Sequence, residues 1–146
     1  MYFAYKASKK SSYISTVTYE RINWLKDLKK LTAEFISLCY SFKYADFAKL
    51  VELSKLLLLH LNPIEDEDII KSIRKVTSLA IDAREELENK KENNLFMDLA
   101  SEADEFLVLI HLKCKFEWER IKDEAGYNKK TNLDKKDSYT KNLMKD

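Results

Sequence analysis

Between Val17 and Phe42 the chain places Val17, Arg21, Trp24, Leu28, Leu31, Phe35, Leu38 and Phe42 at alternating steps of four and three residues. Only Arg21 breaks the apolar series. That rhythm predicts a helix laying one long seam against partner helices. Thr18 can cap its start, and no Gly or Pro interrupts it. After a short connection at Lys43 to Ala45, a second helix is expected from about Asp46, with Phe47, Leu50, Val51, Ser54, Leu57, Leu58 and Leu61 on one face. Leu56 to Leu59 is apolar nearly all round, which predicts the most buried helix of the set. Asn62-Pro63 ends it, because a proline disfavours helical geometry in the residue before it.

A third helix follows from Ile69, Ile73, Val76, Ala80, Ala83 and Leu87, with a densely charged and solvated outer face over Asp82 to Lys91. Glu92 to Asn94 reads as a loop. The fourth helix is predicted over Asn94 to Ala125, on the order of 48 Å long. Its seam is Phe96, Leu99, Ala103, Phe106, Ile110, Cys114, Trp118 and Ile121, and Gly126 stands where a C-terminal cap belongs. The expected fold is all-α: an antiparallel four-helix bundle with long first and last helices and two shorter ones. Residues 1–13 form an aromatic and basic N-terminal segment, 14–126 the bundle, and 127–146 a Lys-rich tail without periodicity, expected to be flexible.

Composition agrees with this reading. The chain has 146 residues but one Gly and one Pro, too few for the tight turns of a sheet protein. Its 45% hydrophobic and 35% charged residues are what apolar seams and solvated faces require. A net charge of +1 gives no global basic field, which argues against nucleic acid as the partner. Two Cys imply a reducing compartment. Cys39 and Cys114 fall about 20 Å apart in height on antiparallel helices, too far for a disulfide, and read as small core residues.

Candidate chemistry is sparse. One glycine excludes a P-loop, a dinucleotide fingerprint and a Gly-x-Ser-x-Gly elbow. His60 and His111 each lack a Glu three residues before, so the paired Glu-x-x-His di-iron pattern is missing. Neither Arg21, Arg74, Arg84 nor Arg120 has a His after four to six intervening residues, which leaves the Arg-x₄₋₆-His chemistry of helical ribonuclease toxins unsupported. Glu65, Asp66, Glu67 and Asp68 crowd together where a helix N-terminus would favour carboxylates; a Ca²⁺ or Mg²⁺ site would need oxygens from further segments. No cofactor, metal or catalytic residue is therefore assigned. The unusual group is Arg21, a cation in a seam that must be paired or reach solvent. Counted from a shared helix end, it falls level with Glu117 and Trp118, which predicts pairing with Glu117 or Glu119 or stacking on Trp118. Arg21, Trp24, Glu117, Trp118 and Glu119 are the interaction and register candidates.

At the N-terminus, Tyr2, Phe3 and Tyr5 precede Lys6, Lys9 and Lys10. From the residues alone, the favoured reading is a mobile terminus with a few aromatics folded onto the bundle; the competing one is the cytoplasmic end of a membrane helix or a weak interfacial anchor, where aromatic residues are followed by lysines. The run Tyr5 to Phe35 resembles a widespread family of small bacterial proteins through Ile14, Thr16, Val17, Thr18, Glu20, Arg21, Ile22, Trp24 and Leu28, with Lys29 where the family often has Arg. LLLLHLNPIEDED and KCKFEWERIKDEAG resemble two further family segments. In that family one transmembrane helix usually precedes the Ile-x-Thr-Val-Thr-x-Glu-Arg-Ile-x-Trp motif, a helix missing from this sequence. The resemblance carries no established activity. It implies a cytoplasmic helical domain at the inner face of the membrane.

The leading functional reading is a non-enzymatic helical interaction or scaffold module, the cytosolic part of a membrane-associated bacterial or phage-related protein. Its partners would be another protein or a second copy, with an anionic membrane surface at Tyr2, Phe3, Tyr5, Lys6, Lys9 and Lys10. Neighbouring phage or defence genes would add an immune role. The alternative is a nucleic-acid-associated or effector protein using Lys6 to Lys10 and the tail lysines as basic arms.

Overall fold

The structure of the chain, a computed structural model, describes the backbone of residues 2–89 and 95–125 and the side chains of residues 12–89 and 95–125. Its helices are α1 (Tyr2–Tyr40), α2 (Phe47–His60), α3 (Glu67–Glu88) and α4 (Leu95–Glu124), with a 3₁₀ turn at Tyr44–Asp46 before α2. No strand occurs among the described residues. The fold is all-α with a long first and last helix, as the seams predict. The chain divides into two compact units, a central one of Leu28–His111 and a terminal one of Met1–Asp27 with Leu112–Asp146. α1 and α4 contribute to both.

The central unit is an antiparallel four-helix bundle. Phe35 and Phe106 meet edge to face at 5.4 Å, and Phe42 lies 6.4 Å from Phe96, so α4 descends as α1 ascends. Leu50, Leu53 and Leu57 from α2, Ile73, Val76 and Ala80 from α3, and Leu99 from α4 complete a core with almost no solvent access. Each such large side chain stabilises by about 1.5–3 kcal/mol relative to exposure.

The buried row of α1 differs from the expected seam. Leu28, Phe35 and Phe42 are buried as predicted, but Leu25, Thr32, Ile36 and Cys39 are buried too, while Leu31 and Leu38 are half-buried. A bundle helix touches two neighbours, so its buried stripe is wider than a two-position seam and shifts toward the second neighbour. α2 also departs from expectation. Leu50, Leu53, Ser54 and Leu57 are buried, yet Leu59 is 81% exposed, so the apolar run does not make this helix buried all round. Four consecutive residues cover a full turn, and one of them must face away from the three partner helices.

The turn between α2 and α3 accounts for the acidic run. Asn62 Oδ1 accepts from the backbone N–H groups of Ile64 and Glu65, and the buried Asp66 carboxylate accepts from the Asn62 N–H at 2.8 Å. Glu67 and Asp68 sit in the first turn of α3, where carboxylates favour the helix dipole. The charged end of α3 is less solvated than expected. Arg84 covers the rings of Tyr44 (5.0 Å) and Phe47 (4.7 Å) and donates to the Tyr44 hydroxyl at 3.1 Å, clamping the 3₁₀ turn to α3.

In the terminal unit, α1 up to Asp27 runs antiparallel to α4 from Leu112. Its α1 starts at Tyr2, well before the expected start at Val17, so Thr18 lies inside the helix and caps nothing. Seam residues were not needed to extend it. No Gly or Pro occurs there, and the Ser15 and Thr16 hydroxyls donate to the Ser12 carbonyl at 2.8 and 2.9 Å, satisfying themselves within the helix. The Glu92 to Asn94 loop, the Gly126 cap and the 127–146 tail lie outside the described residues.

Candidate functional site

The chemistry-bearing side chains of the terminal unit gather on facing turns of α1 and α4. On α4, Lys113, Glu117, Arg120 and Glu124 recur at steps of four, three and four with alternating sign, so one helix face carries a row of opposite charges. Lys113 and Glu117 are each only 8% exposed and pair at 2.8 Å. Arg120 lies between the two carboxylates, 4.0 Å from Glu117 and 3.8 Å from Glu124. From α1, Arg21 meets Glu124 at 2.5 Å, and the Trp24 ring lies 6.0 Å from the Lys113 ammonium.

This arrangement corrects the expected partner of Arg21. Glu117 is taken by Lys113, and Glu119 pairs with Lys122 on its own helix, while Glu124 receives Arg21. The expected level of Arg21 assumes a helix end about ten residues before Trp24, near Ile14, and α1 has no end there. Trp118 is also displaced. It is 46% exposed, and Glu117 occupies the inward position between Cys114 and Ile121. From Cys114 a step of three reaches Glu117 and a step of four reaches Trp118. Hydrophobicity favoured the tryptophan, but Lys113 one turn back neutralises Glu117 and lets it face inward.

Of the predicted candidates, Arg21, Trp24 and Glu117 thus come together, whereas Trp118 and Glu119 do not join them. Lys113, Arg120 and Glu124 were missed. Their signal was legible as the charge row in α4, which shares the four-three rhythm of the apolar seam. The side chains of Tyr2, Phe3, Tyr5, Lys6, Lys9 and Lys10 lie outside the described residues.

A second polar link lies within the central unit. Glu102 is buried, accepts from the Ser72 hydroxyl at 3.3 Å, and is paired with Lys75 reaching in from the surface. The hydrogen bond to Glu102 raises the Lys75 pKa above its ordinary value. Nearby, Tyr40 donates to Asp104, and this bond raises the phenol pKa. His60 Nδ1 lies 2.9 Å from the Leu56 carbonyl oxygen, and His111 is exposed. Cys39 and Cys114 are buried and neither forms a disulfide; burial pushes the Cys39 thiol up to about 12. Among the described residues, no three His, Cys, Asp or Glu side chains converge as a metal site would require.

Fold and site together define an all-α protein with a four-helix bundle in one unit and a charge-lined helix pair in the other. Compared with family models, curated proteins and solved structures, the chain matches none. Among the described residues, no helix is long and apolar enough to cross a membrane.

Proposed function

We propose that this chain is a non-enzymatic helical interaction module that attaches reversibly to an anionic membrane surface through the start of α1. The reading rests on the resemblance of Ile14 to Leu28 to a membrane-associated bacterial family and on one observation about α1. This helix runs unbroken to Tyr2 with no acidic residue in its first turn, and Tyr13, Ile14 and Tyr19 along it are exposed. Lys6, Lys9 and Lys10 stand three and four residues apart, and like charges at that spacing on a helix repel one another in water. Anionic headgroups would relieve that repulsion, each lysine contributing about 1 kcal/mol near such a surface. Three lysines and a few aromatics amount to weak attachment, screened by salt. The exposed Leu59 at the end of α2 and Ile64 in the α2–α3 turn offer a protein partner apolar contacts on the central unit.

Co-sedimentation with vesicles tests the reading. Full-length protein is expected to pellet with anionic vesicles at low salt, to stay in solution with neutral ones, and to be released by high salt. A variant lacking residues 1–10 should lose binding and keep its helical circular dichroism. Equal recovery of both proteins in the supernatant would refute the membrane role.

A further inference from the structure

The two compact units are held by different forces. Among the described residues, the terminal unit buries only three apolar side chains, Leu25, Cys114 and Ile121, whereas the central unit buries apolar residues from all four helices. Beside those three and the half-buried Ile22, Trp24 and Phe116, α1 and α4 are linked in the terminal unit by charge: Arg21 on Glu124, with Arg120 beside it, and Lys113 by the Trp24 ring. The Lys113–Glu117 pair lies within α4, so it persists when the two helices part, and its desolvation while they are together opposes their closure. The Arg21–Glu124 pair is about one-third exposed on each side and is open to screening by salt.

We propose that the terminal unit is a conformational arm that opens on its own, with its closed state held by the Arg21–Glu124–Arg120 cluster while the central bundle stays folded. Cooperative units within one chain open at free energies set by their own buried contacts, and among its described residues this unit buries three apolar side chains. Opening uncovers Leu25 and Ile121, which are buried in the closed unit, and more of the Trp24 ring, which is half-buried there. Ionic strength and polyvalent anions that compete for Arg21 and Arg120 shift the balance toward the open arm. The inference stands independently of membrane attachment, since it concerns residues after position 20.

The chain carries its own probes. Cys39 belongs to the central unit and Cys114 to the terminal one, and both tryptophans, Trp24 and Trp118, fall in the terminal unit. The experiment is pulse labelling of the full-length protein with a maleimide under native conditions, resolved by peptide mass spectrometry. Alongside it, tryptophan fluorescence and far-ultraviolet circular dichroism are followed through a urea titration. Cys114 should be labelled roughly tenfold or more faster than Cys39. That gap should widen at high salt and in Glu124→Gln, and fluorescence should change at lower urea than the helical signal. Equal labelling rates with coincident transitions would mean one cooperative unit and overturn the proposal. So would a Cys114 rate indifferent both to salt and to Glu124→Gln, which would leave the arm without its charge latch.

Discussion

Arg21 and Glu124 stand 103 positions apart in the chain, and their side chains meet at 2.5 Å, tying the first helix to the last turn of the fourth. Both are partly exposed, so the pair belongs with ion pairs that contribute up to about 1 kcal/mol. A double-mutant cycle of Arg21→Ala with Glu124→Gln, read by urea denaturation, should show coupling of about 0.5–1 kcal/mol. The same cycle with Glu119→Gln should show none, because Glu119 pairs with Lys122. Coupling to Glu119 instead would refute the register of the two helices.

Lys113 and Glu117 obey a different balance, since both are buried. Lys113→Met should be strongly destabilising, by about 3–5 kcal/mol, because it leaves Glu117 without its close partner. Adding Glu117→Leu removes that buried charge and should restore stability to near the original or above it. The measurement is the unfolding midpoint of the single and double variants. A double variant no better than the single one would show that the pair itself, and not the orphaned charge, carries the effect.

Thr32 is buried in the core row of α1, and its hydroxyl has no hydrogen-bond partner among the described residues. A buried unsatisfied hydroxyl costs about 1–3 kcal/mol. Thr32→Val keeps the shape and removes the group, so it should raise stability by about 1 kcal/mol. Loss of stability on this substitution would mean that the hydroxyl is satisfied in solution.

Cys39 links stability to alkaline pH. Burial raises its thiol from 9.0 to about 12 in the folded chain. The folded state therefore keeps a proton that the unfolded chain releases. The stability associated with the neutral thiol is full below pH 9 and drains as pH rises from 9 toward 12, by up to about 1.4 kcal/mol per unit. Comparing the original with Cys39→Ala isolates this group from other alkaline titrations. The stability advantage of the original should hold at neutral pH and shrink above about pH 9. An advantage independent of pH would place the thiol in contact with water.

Hydrophobic spacing alone determined the helix count, the chain order of the helices and most of the central core. Ile69, Ile73, Val76, Ala80 and Ala83 are buried where their four-three rhythm places them. A single Gly and a single Pro left few alternatives to long helices. Tertiary structure decided which face of α1 turns inward, since Thr32 and Cys39 displace Leu31 and Leu38 when a second neighbouring helix widens the buried stripe. It also decided that Glu117 and not Trp118 turns inward between Cys114 and Ile121. A residue's own polarity does not reveal whether a partner one turn away will neutralise it, and the Lys113 ammonium did so here. The extent of α1 escaped the seam for a complementary reason. Backbone hydrogen bonds and absent breakers carry a helix past the last residue of its apolar seam, so periodicity marks the seam and not the helix end.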